Sequence, residues 1–141
     1  MIIKQLSVFL EDKVGRLTEM TKILADNNIN LSAFNIADAA DYGIARFIVD
    51  KPEEALKVLK ENRFSVNITD VVGMVVPHQP GAVYKALKIL SANDITIDYM
   101  YAFAIEDSAS VIIRSPSNED VIRVLQENNL PLLKASDIYN L

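Results

Sequence analysis

The sequence contains no cysteine and only one histidine. The absence of cysteine excludes disulfides, a thiol nucleophile and a thiolate metal site. A single histidine makes a poor metal site, and it gives the serine side chains only one possible imidazole partner for nucleophilic catalysis. We therefore expect no metal, no cofactor and no catalytic residues.

Basic residues are also scarce. Fourteen lysine and arginine residues stand against 19 acidic ones, the formal net charge is -5, and the sequence has no run of basic residues. This balance disfavours a nucleic-acid partner. The apolar N-terminal segment IIKQLSVFL is too short to span a bilayer, and no small-residue cleavage site follows it. We therefore expect a cytoplasmic protein without a membrane partner.

Sequence motifs of common enzyme classes are missing. Neither the GxSxG setting of a nucleophilic serine nor a GxxxxGK[ST] phosphate loop occurs. Acidic pairs such as Glu53-Glu54 and Glu119-Asp120 are adjacent in sequence near predicted helix starts, which is typical of solvated charge. We therefore expect a protein that is not an enzyme.

An internal repeat with an offset of 66 residues is the main positive feature. Residues 11–31, EDKVGRLTEMTKILADNNINL, correspond to residues 78–97, HQPGAVYKALKILSANDITI, and VLKEN at 58–62 corresponds to VLQEN at 124–128. The repeat predicts two small domains, residues 1–70 and 71–141. Half of the residues are hydrophobic, which is enough for a shared core.

One pair of residues departs from this offset. Pro52 and Pro116 both precede or begin a predicted helix, yet they are 64 positions apart. We interpret the difference as a two-residue deletion near a turn between strands, with a compensating insertion at the helix start. Turns tolerate such changes.

Hydrophobic periodicity predicts the element order βαββαβ in each half. Right-handed crossovers applied to this order give an α+β, ferredoxin-like domain, a four-stranded antiparallel sheet with two helices on one face. In the first half the predicted elements are a strand at 2–10, a helix at 14–27, strands at 29–37 and 43–49, a helix from 52 and a strand at 65–71. In the second half they are a strand to 76, a helix from 80, strands at 95–104 and 109–114, a helix after 116 and a last strand at 132–139.

Residues that favour helix caps and strand breaks predict the ends of these elements. Asn27, Asn28 and Asn93 fit the left-handed residue that ends a helix. Gly73 is the only strand breaker in VNITDVVGMVV, which joins the two halves without a flexible linker. Leu17, Met20, Ile23 and Leu24 fall on one face of the first helix, and Ala55, Val58 and Leu59 fall on one face of the second, so we expect both faces to be buried.

The two βαββαβ halves resemble a pair of ACT domains, the small-molecule-binding regulatory modules of amino-acid metabolism. The resemblance rests on the glycine turns DKVGRL and HQPGAV, each followed by a helix and an INL or ITI strand, and it covers essentially the whole chain. It implies that an amino acid binds at an interface between domains, to the loop before the first helix and to the start of the second strand. The ligand-binding residues implied are Asp12, Lys13, Val14, Gly15, Arg16, Leu17 and Asn30, with second-site candidates His78, Gln79, Pro80, Gly81 and Thr96.

The chemistry of these residues suits a small zwitterion. A helix N-terminus offers unpaired N–H groups to a carboxylate, Gly15 and Gly81 let the backbone approach closely, and Asp12 is an acceptor for an ammonium group. Each residue also has a structural alternative. Asp12 suits a helix cap, the two glycines suit helix–sheet packing, Asn30 suits the satisfaction of strand-end backbone groups, and His78 suits a surface turn.

Two further binding classes compete with this interpretation. RNA-recognition motifs share the topology, but residues 42–49, YGIARFIV, have Ile44 and Arg46 where stacking aromatic residues would be needed. A ligand-free interaction module that acts on a partner enzyme is favoured by an apolar cluster in the second half, whose alternate residues must face opposite sides of a strand. The cluster consists of Tyr99, Met100, Tyr101 and Phe103.

The expectation is therefore a non-catalytic regulatory module that senses an amino acid or a similar small zwitterion. Exposed edges of small sheets suggest a homo-oligomer, most simply a twofold dimer. The sequence identifies neither the amino acid nor the regulated enzyme.

Overall fold

The structure is a computed structural model that describes residues 1–11, 14–38 and 41–141. These residues form two compact units. Lys4–Thr69 with Ser136–Leu141 form what we call the N-terminal unit, and Met1–Ile3 with Asp70–Ala135 form the C-terminal unit. The domain limit between residues 70 and 71 stays a prediction.

Each half has the βαββαβ order up to its last strand. The strands are β1 (Ile2–Glu11), β2 (Leu31–Asp38), β3 (Tyr42–Val49), β4 (Ser65–Pro77), β5 (Tyr99–Ile105) and β6 (Ser108–Arg114). The helices are α1 (Arg16–Asp26), α2 (Pro52–Glu61), α3 (Ala82–Ala92), α4 (Asn118–Glu127) and α5 (Ala135–Tyr139).

The offset of 66 residues holds for both helix pairs, so the deletion and insertion predicted from the prolines are wrong. Pro52 is the first residue of α2, and the first residue of α4, 66 positions later, is Asn118. The Ser117 side chain caps α4 by accepting a hydrogen bond from the Asp120 N–H at 3.3 Å. Pro116 lies before this cap and has no equivalent in the first half.

In the N-terminal unit the strand order is β2-β3-β1-β4, and β3 pairs antiparallel with both β1 and β2. Alternation along β1 turns Leu6, Val8 and Leu10 toward the helices, where they form the core with Met20 and Leu24 of α1. The buried face predicted for α2 is confirmed, since its buried residues are Ala55, Val58 and Leu59. The predicted ferredoxin-like α+β fold is confirmed.

In the C-terminal unit β4 and β5 both pair antiparallel with β6, and the strand order is β1-β4-β6-β5. Ala86 and Leu90 of α3 pack with α4 and the sheet in a second core. Met100 of β5 packs against this core. Its neighbours Tyr99 and Tyr101 face the opposite side of the sheet, as the alternation predicts.

The last strand of each half differs from the prediction. Residues 65–77 form one continuous strand, β4, so Gly73 does not break it. The strand predicted at 132–139 is wrong, because only Leu132 forms a bridge, to Met74, before the chain turns into α5. Gly73 is needed because a Cβ there would lie 2.8 Å from the Cβ of Leu133.

The four helices α1 to α4 end in the same way. Each C-cap is an asparagine whose Nδ2 donates to the carbonyl four residues earlier, at 2.7–2.8 Å. The next residue takes the left-handed conformation, with φ between 55° and 67°. The caps are Asn27, Asn62, Asn93 and Asn128, and the left-handed residues are Asn28, Arg63, Asp94 and Asn129.

This shared ending confirms the prediction for Asn28 and corrects it for Asn27 and Asn93, whose φ values are -101° and -105°. It also explains why β2 and β5 begin later than predicted. The N–H groups of Ile29 and Ile95 donate back to the carbonyls of the helices that they follow, so they are not available to the sheet.

Candidate functional site

Both predicted site glycines are helix N-caps in the left-handed conformation, Gly15 with φ 92° and Gly81 with φ 86°. A Cβ added to either would have no described atom within 4 Å. The alternative that these glycines serve helix–sheet packing is therefore wrong. Their conformation favours glycine, and no described residue fills the space beside either of them.

A cavity of about 220 Å³ lies beside the first turn of α1, and we call it the α1 cavity. Four chain segments meet there because β3 pairs with both neighbouring strands at Gly43, which lies opposite Leu10 of β1 and Asp38 of β2. The lining residues are Leu10, Glu11, Arg16, Leu17, Ile36, Asp38, Tyr42 and Gly43.

Arg16 supplies the positive charge of the α1 cavity. Its Nη1 donates to Glu19 Oε2 at 2.9 Å, and its guanidinium lies 4.0 Å from the centre of the Phe64 ring. The Nε atom is buried and has no hydrogen-bond partner among the described residues. Stacking on Phe64 and the ion pair with Glu19 hold the guanidinium in place.

The remaining lining combines carboxylates with apolar side chains. Glu11 and Asp38 are exposed carboxylates, and Ile36 is an exposed apolar side chain at 45% exposure. Leu17 is 36% exposed, so the prediction that it lies on the buried face of α1 is wrong. Both signs of charge beside an apolar wall match the three parts of an amino acid, namely carboxylate, ammonium and side chain.

The predicted first site is only partly brought together. Asp12 and Lys13 lie outside the described residues. Arg16 and Leu17 line the α1 cavity and Gly15 directly precedes them, whereas Val14 is fully exposed and does not line it.

Asn30 lies beyond the opposite end of α1, a helix of 11 residues and therefore about 16 Å long. Its backbone N–H donates to Asp50 Oδ1 at 2.9 Å, and its Nδ2 donates to the Leu141 carbonyl at 3.4 Å. Within one N-terminal unit, Asn30 and the α1 cavity are thus separate.

Sequence reasoning missed Leu10 and Glu11, which end β1 just before the predicted loop, and it missed the part of the lining that β2 and β3 contribute. That part consists of Ile36, Asp38, Tyr42 and Gly43. These residues are more than 15 positions from Gly15 in the sequence, and only the antiparallel register brings them to the start of α1. One signal was available. The residue 66 positions after Asp38 is Ala104, so the carboxylate is absent from the second half.

The charged residues that line the α1 cavity have no charged equivalents in the second half. The equivalents of Glu11, Arg16 and Asp38 are Pro77, Ala82 and Ala104, none of them ionisable. The described second half therefore has no counterpart of the charged α1 cavity.

The second-site candidates are placed as follows. His78 is exposed, and its backbone N–H donates to the Asp107 carbonyl at 2.8 Å. Gln79 and Pro80 are exposed in the same turn before α3. Thr96 is exposed beyond the other end of α3, and its carbonyl accepts from Ser115 Oγ at 2.8 Å. In both halves, therefore, the predicted polar residue near the second strand, Asn30 or Thr96, lies at the opposite end of the first helix from the predicted glycine loop.

Two further features bear on function. In the part of the chain that the structure describes, no three histidine, cysteine or acidic side chains come together as metal ligands would. None of the helices there is long and apolar enough to cross a bilayer.

The fold and the site define a class, a tandem ferredoxin-like protein with a ligand-sized cavity at the first strand–helix loop. The family model that describes an ACT domain pair matches residues 1–141, and the chain belongs to this family. No curated protein matches the sequence.

Solved structures have a similar fold. A protein from Bacteroides thetaiotaomicron is 55% identical, with a TM-score of 0.96 over 100% of this chain and 98% of that one. The ligand-free regulatory subunit of aspartate kinase from Thermus thermophilus is 19% identical, with a TM-score of 0.64 over 88% and 91% of the two chains. The corresponding subunit from Thermus flavus is 16% identical, with a TM-score of 0.64 over 90% and 94%. The two kinase subunits share the fold with this chain.

Proposed function

We propose that the chain is a non-catalytic, cytoplasmic regulatory module that binds one amino acid or similar small zwitterion in the α1 cavity. The observation that carries the proposal is the lining of this cavity, where Arg16, Glu11 and Asp38 stand beside an apolar wall. The aspartate kinase relatives are regulatory subunits by name, which supports a regulatory role.

The chemistry of binding follows from the parts of the cavity. The ligand carboxylate approaches the first turn of α1, where backbone N–H groups lack helical acceptors, and the Arg16 guanidinium adds a positive charge. The left-handed Gly15 has no Cβ to block this approach. The ammonium group is directed to the carboxylates of Glu11 and Asp38, and the side chain packs on Leu17 and Ile36.

A second copy of the chain completes the site. β2 is an edge strand, so its outer backbone groups can pair with the same strand of another copy around a twofold axis. Antiparallel pairing of two β2 strands places the start of one beside the end of the other. Asn30, which precedes β2, then lies next to Asp38 of the other copy. This arrangement unites residues that lie far apart within one unit.

A thermal-shift screen of the standard amino acids tests the proposal. A ligand at about 100 times its dissociation constant stabilises by about 2.7 kcal/mol, a shift of several degrees. We expect a selective shift for the wild-type protein that is absent in Gly15→Val, because a branched side chain would fill the open approach to α1.

Gly81→Val is the matched control. The two glycines have nearly the same φ and equally open surroundings, so both substitutions carry the same backbone strain. The control is expected to keep the ligand-induced shift. No shift with any amino acid, or a shift that survives in Gly15→Val, contradicts the proposal.

A further inference from the structure

A second cavity, of about 370 Å³, lies along α3 in the C-terminal unit, and we call it the α3 groove. Its lining includes Leu87 and Leu90 of α3 together with Ile95 and Ile97 of the segment that follows. Tyr84 borders the groove and is 65% exposed, the largest exposed fraction of any aromatic side chain among the described residues. The groove is thus an apolar surface with an aromatic edge.

Two of the apolar residues that line the groove occur only in the second half. The residues of α1 that correspond to Tyr84 and Leu87, 66 positions earlier, are Thr18 and Thr21. A surface that is needed only to cover a ferredoxin-like sheet would not require this difference. Leu87 packs in part against the core of this unit, whereas Tyr84 is mostly exposed, so the common fold does not account for the aromatic side chain at position 84.

The charge on α3 is of one sign. Its two charged residues are Lys85 and Lys88, both exposed, and neither forms an ion pair with a described residue. On α1 the equivalent of Lys88, Lys22, is paired with Asp26 at 2.6 Å, and the equivalent of Asp26 on α3 is Ala92. In a chain of net charge -5, the helix beside the α3 groove is therefore positively charged.

We propose that the α3 groove is a docking surface for an acidic amphipathic segment of a partner protein. Apolar side chains of the segment enter the groove beside Tyr84, and its carboxylates pair with Lys85 and Lys88. A concave apolar site suits a peptide more than a flat membrane surface does. A second copy docked by the same face would bring four lysines together, which disfavours a twofold pair. The inference goes beyond the amino-acid site and holds whether or not that site is occupied.

A fluorescence-anisotropy titration tests this proposal with two labelled amphipathic peptides. Both carry leucine at the same helical positions, and the other positions are glutamate in one peptide and lysine in the other. The wild-type chain is expected to bind the glutamate peptide at least about tenfold more tightly, and increasing salt is expected to weaken binding. Equal affinities, or no binding of the glutamate peptide, overturn the proposal.

Variants locate the binding surface. Tyr84→Ala with Leu87→Thr removes the aromatic edge and one apolar side chain of the groove and is expected to weaken binding of the glutamate peptide about tenfold. Lys85→Glu with Lys88→Glu is expected to reverse the preference between the peptides. Lys22→Glu, at the position equivalent to Lys88 in the first half, is the control and is expected to leave both affinities unchanged. Loss of binding in this control alone assigns the peptide to α1 and overturns the proposal.

Two other occupants have their own readouts. If the Tyr84→Ala, Leu87→Thr variant has a lower mass than the wild-type chain in light scattering, the groove holds a second copy. If the wild-type chain sediments with phosphatidylserine vesicles and binds neither peptide, the surface binds membranes. Either result overturns the proposal, and circular dichroism of each variant shows that it is folded.

Discussion

Each of the four left-handed residues that follow the asparagine caps adds a small cost in conformational free energy to the folded chain. Of the four, Arg63 has φ 67° and is the one whose side chain is not of the Asn or Asp type. Asparagine and aspartate tolerate this conformation because their short polar groups bond locally, whereas a long side chain gains nothing from it. Arg63 is exposed, so the cost is not offset by burial.

Arg63→Gly is therefore expected to stabilise the protein. Removing the Cβ relieves about 1–2 kcal/mol of left-handed strain in the folded protein. Glycine also gives the unfolded chain more conformational entropy, which offsets about half of this gain and leaves a net stabilisation of about 0.5–1 kcal/mol. Urea denaturation measures the difference. Arg63→Ala keeps the strain and is expected to change little, and a loss of stability in Arg63→Gly would contradict this explanation.

The local signals at helix ends were partly readable from the sequence. Asn28 was predicted correctly as a left-handed residue because asparagine is common there. The pairs at 27–28 and 93–94 still required the structure, because asparagine also caps helices through its side chain, as Asn27 and Asn93 do. Residue type alone does not distinguish these two positions.

At the scale of elements, the close approach of the Leu133 segment to β4 determines that residue 73 is glycine. Leu133 donates its N–H to the Gly73 carbonyl at 2.8 Å, and its side chain lies over Gly73. This contact replaces the last strand that periodicity predicted for the second half. The apolar residues 132 and 133 suggested a strand, but burial of Ile138 and the bond from the Lys4 N–H to Tyr139 Oη, at 2.8 Å, favour a helix there.

Gly73→Ala tests this packing. The added Cβ would meet Leu133 Cβ at 2.8 Å and Ile3 Cδ1 at 3.0 Å, so we expect a loss of about 1–3 kcal/mol in urea denaturation. Gly43→Ala is the control, because its nearest neighbours are at 3.6 and 3.8 Å, an ordinary contact distance. Equal stability of the two variants would show that the Leu133 segment moves aside freely.

The helices were more predictable than this last segment. Pro52 and the buried face of α2 were both predicted, because proline suits a first helical turn and the apolar spacing is regular. The partners of an edge strand, by contrast, depend on distant residues. The β2 and β3 parts of the α1 cavity were missed for that reason.

At the scale of the whole molecule, the two halves have the same fold and different surfaces. The charged α1 cavity belongs to the first half and the apolar α3 groove to the second. The duplication was visible in the sequence, but the difference in surface depended on knowing which repeated positions face solvent. Under our proposal one half binds the small molecule and the other binds a protein.

Mixing two variants tests whether a second copy completes the amino-acid site. Gly15→Val is expected to obstruct the approach to the α1 cavity, and Asn30→Ala removes the residue that the other copy supplies under our proposal. Each variant alone is expected to lose binding of the amino acid found in the screen. After subunit exchange, heterodimers have one intact site, so the mixture is expected to recover about a quarter of the wild-type capacity. A mixture that recovers nothing would show that Asn30 does not act on the cavity of the other copy.

The most direct test of the central claim is a calorimetric titration of the wild-type chain with the amino acid found in the screen. The α1 cavity has no charged counterpart in the second half, so the account predicts one ligand per chain. It also predicts that binding is lost in Gly15→Val and kept in Gly81→Val. Two ligands per chain, or binding that depends on Gly81 and not on Gly15, would contradict it.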